Sequence, residues 1–212
     1  MKKIFLILCG LALSFSAYSQ TDTSKTDDYS TSMKGKLQIH TSAKLGFGQL
    51  NSLTYKALNG NVGIGEVLVS YGFSKSAKLM TGIGFMEFNA NVFDSGSFQS
   101  LKNEYIQIPL KVSFSESLGR KSQNGTRAML AFGLFGSYHR KSTLEGQNAT
   151  ITDKNLTWAV GGLIDVGVEF HVHRDVNIGI GIESQFNNPK LGDNHKMRVM
   201  SNMLRFTFIF KR

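Results

Sequence analysis

Six charged residues stand inside stretches that otherwise read as apolar β-strand: Lys44, Lys111, Asp165, Glu169, Glu183 and Arg205. Successive side chains of a strand point to opposite faces, so these charges collect on the face away from the apolar residues. If that face is enclosed, its chemistry is ion pairing, because an unpaired buried charge costs several kcal/mol, by order of magnitude. The expected arrangement is a luminal cluster centred on Lys111 and Arg205 with Asp165 and Glu169, Lys44 and Glu183 completing the set. Other residue types have catalytic or metal-binding potential. His40 and Ser42 are two apart, and His139 precedes Ser142 and Glu145, so each set holds a base and a hydroxyl nucleophile. His171 and His173 share one strand face near a turn, but two imidazoles without a third ligand make a poor metal site. No catalytic residue, metal ligand or cofactor is therefore assigned.

These residues need elements to hold them. The chain opens with MKKIFLILCGLALSFSAYSQ. A basic start, a short apolar core and small residues before Gln20 form a secretory signal over residues 1–19. The apolar run is too short to span a bilayer as a helix. Cys9 follows Leu8 rather than a small residue, which argues against lipidation. It is the only cysteine, so the exported chain has neither disulfides nor thiolate metal sites. Residues 20–35 are polar and read as a flexible periplasmic leader. The formal charge is +9, two units of which come from Lys2 and Lys3. The basic residues are dispersed, which suits anionic headgroups and gives no case for nucleic acid.

Residues 36–212 form one domain. Period-two alternation marks eight strands, near 36–48, 62–73, 79–88, 103–114, 128–138, 160–172, 178–185 and 204–210. In the third the parity blurs at Met86, Glu87 and Phe88, where a bulge is expected. Strands of about ten residues match a tilted bilayer crossing, against about 5–6 in soluble proteins. The connections 49–61, 89–102, 140–155 and 187–196 are long and fall on the side opposite the termini; on the terminal side 74–78 and 173–175 are short turns, and 115–127 is the exception, longer than a tight turn. The fold class is an all-β, eight-stranded antiparallel up-and-down transmembrane β-barrel with periplasmic termini and outward loops. Eight strands leave a lumen that side chains fill, which excludes a wide pore.

The pairs Gly46/Gly48, Gly63/Gly65, Gly82/Gly84 and Gly179/Gly181 are not followed by helix patterns, so they are not phosphate loops. They read as small residues on the lumen side, easing curvature and crowding in a narrow barrel. Asn124, Asn148 and Asn155 match glycosylation sequons without consequence in a bacterial-type secretory context.

The fourth strand reads NEYIQIPLKVSF. Ile106, Ile108, Leu110 and Val112 face lipid, while Gln107 and Lys111 face inward. Pro109 lacks a ladder donor in a barrel without edges, so a local irregularity beside it is expected, in the form of a bulge facing the lumen. The run Tyr105-Ile-Gln-Ile-Pro-Leu-Lys resembles the signature of the PorT-like outer-membrane β-barrel family, carried by Tyr105, Gln107 and Pro109. The Gly-rich third strand, the Asp165/Gly167/Glu169 strand and the aromatic C-terminal strand are also similar to it. The last strand departs from the usual barrel-assembly signal: Arg205 stands where glycine is common, and Lys211-Arg212 follow the last phenylalanine.

The resemblance implies an outer-membrane barrel and, as the alternative function, an accessory role in secretion or envelope assembly. The residues themselves favour a structural or interaction barrel at the cell surface. Its partners would be outer-membrane lipid and lipopolysaccharide, the barrel-assembly machinery during insertion, and envelope or secretion proteins. A lipid A-modifying hydrolase is the enzymatic alternative, resting on the His40/Ser42 and His139/Ser142 spacings.

Overall fold

The computed structural model describes residues 33–51, 57–94, 97–118, 126–146, 150–154, 157–173, 175–188 and 198–211. The signal segment, most of the leader and the three sequon asparagines lie outside the described residues. Nine strands are present: β1 (Leu37–Asn51), β2 (Leu58–Gly72), β3 (Ala77–Asp94), β4 (Ser97–Ser117), β5 (Arg127–Glu145), β6 (Thr150–Asp153), β7 (Thr157–His173), β8 (Val176–Asn188) and β9 (Arg198–Lys211). Eight close into an antiparallel barrel in chain order, sealed where β1 pairs β9. The short β6 pairs β5 above β7, on the same side of β5.

Two media shape each strand. Toward the termini the outer face is apolar: Leu79, Ile83 and Phe85 on β3, Ile108, Leu110 and Phe114 on β4, Leu204, Phe206 and Phe208 on β9. Their inward neighbours are polar: Lys78, Lys111, Ser113, Arg205 and Thr207. Nine residues from Ile106 to Phe114 rise ~27 Å along β4, about 20 Å of membrane once tilted. Farther along, the pattern inverts. On β3, Met86, Phe88, Ala90 and Val92 turn inward and are buried, while Glu87 and Asn89 face out. On β1, Leu50 points inward and Gln49 out. The inward residues form one apolar cluster with Val62, Ile64, Leu101, Tyr105, Val199 and Met203.

This inversion corrects the expected bulge at Met86–Phe88. The β3–β4 register runs unbroken there, Met86 opposite Tyr105 and Phe88 opposite Asn103. Parity never changes; the chemistry of each face does. It also lengthens the strands to between 13 and 21 residues. The connections read as loops 89–102 and 140–155 are largely hairpin: β3 and β4 stay paired to Asp94 opposite Ser97, and β5 pairs β6.

Three irregularities remain, one of them a register shift between His171 and His173 in the β7–β8 ladder. A second register shift falls between Glu104 and Tyr105 in the β4–β5 ladder. Around Pro109 the β3–β4 ladder opens, with no pairing recorded for Gly82 and Ile83. The Pro109 carbonyl points at β3 and accepts a 2.9 Å hydrogen bond from Thr81 Oγ1. The missing N–H therefore faces β3 as well, and the β5 side is intact, with Pro109 opposite Phe135. The interruption is a local gap in one ladder, not a lumen-facing bulge.

The end of the leader is also fixed. Met33 is 4% exposed, its N–H donates to the Lys75 carbonyl, and Ser115 Oγ lies 3.4 Å from its sulfur. Gly35, at φ 75°, closes a turn in which Lys36 N–H bonds the Met33 carbonyl. Burial of one apolar side chain under the barrel anchors a segment whose composition reads as flexible.

Gly63 and Gly65 do not line the lumen as expected: they alternate with the buried Val62, Ile64 and Glu66 and so face outward. Strand curvature makes other glycines obligatory. A Cβ on Gly133 would strike the Leu110 carbonyl and Lys111 Cα, whereas one on Gly136 would meet only Trp158 Cζ3, at 3.9 Å. Gly133→Ala should therefore destabilise the barrel by about 1–3 kcal/mol, and Gly136→Ala by less than ~0.5 kcal/mol. Chemical unfolding in lipid vesicles measures both.

Candidate functional site

The membrane-height lumen is an ion network built by strands that are mostly not neighbours. Lys44 Nζ on β1 lies 2.8 Å from Glu66 Oε2 on β2 and 2.6 Å from Glu183 Oε1 on β8. Lys111 Nζ on β4 lies 2.8 Å from Glu183 Oε2 and 3.2 Å from Glu66 Oε1. Two ammonium groups and two carboxylates thus alternate in a closed ring. Beside it, Arg205 Nε on β9 approaches Asp165 Oδ2 on β7 at 2.8 Å, and its Nη1 donates to Thr207 Oγ1 at 2.6 Å. Nearer the termini, Lys78 Nζ on β3 contacts Glu169 Oε1 on β7 at 2.8 Å. All eight side chains are buried. Four cations meet four carboxylates, so this set is electrically balanced.

All six charged residues named from the sequence line the lumen, but their pairing differs from the expectation. Glu169 joins Lys78, not Lys111. Lys111 is held by Glu183 and Glu66, while Arg205 and Asp165 do meet. Sequence reasoning missed Glu66 and Lys78. Glu66 alternates with the outward Val67, Val69 and Tyr71, and that parity was enough to place it inside. Lys78 sat in a stretch read as a turn, which is the start of β3.

The signature residues occupy the junction between ionic and apolar layers. Gln185 Nε2 donates to Glu183 Oε1 at 2.7 Å, and Gln107 Nε2 donates to Gln185 Oε1 at 3.1 Å. Gln107 Nε2 also lies 3.2 Å from the Met86 sulfur. The Tyr105 ring is buried in the apolar cluster and stacks on His139 at 4.7 Å. The gap among Met86, Tyr105, Gln107, Phe135 and Ser201 has about 10 Å³ of free volume, no more than one water needs.

The nucleophile–base pairs are dispersed. His40 Nε2 bonds Ser70 Oγ at 2.8 Å, and Ser42 Oγ bonds Thr207 Oγ1 at 2.8 Å, both inside the wall. His139 packs on Tyr105, Ser142 pairs with Asn103 and Asp153 in the ladders, and Glu145 is exposed. His171 Nδ1 lies 3.0 Å from Asn177 Oδ1 and 3.2 Å from Lys211 Nζ, while His173 is exposed beyond a register shift. Among the described residues no three His, Cys, Asp or Glu side chains converge as metal ligands do.

Comparison with known proteins places the architecture. Neisserial surface protein A matches with a TM-score of 0.52 and 11% identity, over 82% of this chain and 97% of that one. The N-terminal β-barrel domain of Pseudomonas aeruginosa OprF matches at 0.44 and 12%, over 84% and 98%. The outer membrane protein OprG of the same organism matches at 0.38 and 10%, over 85% and 98%. The first likeness carries the argument, and at that identity it establishes the fold alone. The chain is a closed eight-stranded barrel. No protein-family model matches it, and no curated protein does.

The pairing makes a prediction that the sequence expectation would reverse. In double-mutant cycles, Lys111→Met with Glu183→Gln should be coupled by about 1–3 kcal/mol, whereas Lys111→Met with Glu169→Gln should be additive within ~0.5 kcal/mol. Lys78→Met alone should cost about 3–5 kcal/mol, because it strands the Glu169 carboxylate. Unfolding titrations in vesicles check all three.

Proposed function

We propose that the protein is a small outer-membrane barrel with a structural and interaction role at the cell surface. It neither transports nor catalyses. One observation carries this reading: the lumen is closed twice, by a balanced ion network and by an apolar layer, while the outer wall is apolar at membrane height. A closed tube offers no route for solute, so the working surfaces are the outer wall and the hairpins. Lipid and lipopolysaccharide meet the wall, the assembly machinery meets it during insertion, and envelope proteins meet the exposed ends. In this reading the termini are periplasmic and the long hairpins face outward. Tyr138 and Trp158, 4.9 Å apart on β5 and β7, suit the interfacial aromatic girdle beneath those hairpins.

A second reading is an accessory of secretion or envelope assembly. It is favoured by the Tyr105–Lys111 resemblance, and its surface would be the leader with the β4–β5 turn at the terminal end. A lipid A hydrolase lacks comparable support, since His40 and Ser42 are engaged with other partners inside the wall.

Reconstituted in planar bilayers, the protein should insert and give no porin-like conductance steps; regular steps would refute the closed lumen. Crosslinking in intact cells should capture lipopolysaccharide or surface proteins on the hairpin end. Loss of secreted cargo on deletion would select the accessory, and altered lipid A acylation the hydrolase.

A further inference from the structure

Above the apolar band, one sector of the outer wall differs from the rest. Across β9, β1, β2 and β3, Asn202, Phe47, Asn61 and Asn89 are successive cross-strand partners, forming one row. The next row begins with Gln49 opposite Asn59. Phe47 is 76% exposed at the centre of these amides. Two open grooves flank it, of about 660 Å³ on the amide side and about 340 Å³ on the membrane side. The lower groove exists because Gly63 faces outward opposite Leu45, leaving the wall bare beside the phenyl ring.

The residues lining the grooves are rich in hydrogen-bonding capacity and uncharged, although Asn89 Nδ2 donates to the neighbouring Glu87 Oε1 at 2.8 Å. Glu87 and Lys102 at its edge pair with each other at 2.9 Å. Gln49 Nε2 donates to Asn59 Oδ1 at 3.3 Å, and Asn202 Oδ1 accepts from Ser184 Oγ at 2.6 Å. Each amide still has donor or acceptor positions to spare, since each carries two N–H groups and a carbonyl. Phosphate or carboxylate ligands call for Arg or Lys. A hydrocarbon ligand calls for no amides. Hydroxyls that both donate and accept match planar amides, and an exposed phenyl face matches the C–H face of a sugar ring.

We infer that the groove around Phe47, lined by Gln49, Asn59, Asn61, Asn89 and Asn202, binds neutral sugar units. The occupant is the sugar headgroup of a glycolipid in the leaflet around the hairpin end. The location selects that source: on β1 the row begins just past Leu45, and on β9 just past Leu204, both lipid-facing residues. A headgroup therefore reaches the groove while its acyl chains lie on the band below. The inference rests on the membrane reading of the barrel.

The test uses the full barrel in phosphatidylcholine nanodiscs doped with digalactosyldiacylglycerol, a neutral glycolipid. Native mass spectrometry counts the lipids retained on release. The protein should retain the glycolipid at least 5-fold over phosphatidylcholine and over phosphatidylglycerol at equal doping. Asn61→Ala with Asn89→Ala, and separately Phe47→Leu, should abolish that preference while the barrel still migrates as folded on unheated gels. Should either variant fold poorly, displacement of the glycolipid from the unaltered protein by soluble digalactose serves instead. Equal retention of all three lipids, variants that retain glycolipid undiminished, or no displacement would overturn the inference. Retention of free maltohexaose with no preference for the lipid-anchored sugar would overturn the source. Failure to enter nanodiscs at all would instead refute the membrane reading.

Discussion

Charge neutrality in a narrow enclosed lumen is the constraint on which this barrel depends. Eight strands enclose a lumen too narrow for hydrated ions, so the amino groups of Lys44, Lys78 and Lys111 cannot keep bulk solvation. The Coulomb gain offsets desolvation only when geometry is good and remaining valences are filled. The structure meets both conditions. Each carboxylate of the Lys44–Glu66–Lys111–Glu183 ring touches two ammonium groups, and Gln185 adds a donor to Glu183. The pairs also fix shape. Lys111–Glu183 ties β4 to β8, and Lys78–Glu169 ties β3 to β7. Neither strand pair is adjacent, so these contacts brace opposite walls that no backbone ladder can connect.

The same strands must satisfy a second condition farther along. At membrane height hydrocarbon lies outside and polar groups lie inside. Beyond it water lies outside, and the inside fills with Met86, Phe88, Leu50 and Val199 as in a soluble barrel. A single strand thus carries two patterns of opposite sense in series, joined without a break in parity. The junction is where the lumen changes from ionic to apolar, and Gln107 bridges it, reaching Gln185 on one side and the Met86 sulfur on the other.

That inversion explains what was legible in the sequence. Alternation of apolar and polar residues is unambiguous where hydrocarbon faces the strand, so eight crossings and six luminal charges could be read directly. It fails at Met86-Glu87-Phe88, because both faces there hold a residue that suits either side. The upper halves of β3 and β4 consequently looked like loop. Glu66 was readable from parity but hidden in a glycine-rich run, and Lys78 lay at a strand start that composition does not distinguish from a turn. Pairing was not legible at all. Which ammonium meets which carboxylate depends on barrel shear and on side-chain length across the lumen, and neither quantity is local in sequence.

The residues that carry the family resemblance acquire a structural meaning from this arrangement. Tyr105 fills the apolar layer and stacks on His139, Gln107 links that layer to the ion ring, and Pro109 opens one ladder beside Gly82. Each acts on closure of the tube, and none presents a group to solvent or lipid. A signature of this kind describes how a barrel is sealed and leaves its task unspecified. The side chains free to meet another molecule lie elsewhere, on the outward wall above the apolar band. There water outside and an apolar core inside place no demand on residue type beyond polarity. A run of amides around an exposed phenylalanine is more specific than that demand, since lysine or glutamate would serve solubility as well. The excess of specificity over structural need is what makes that wall, rather than the motif, the place to look for function.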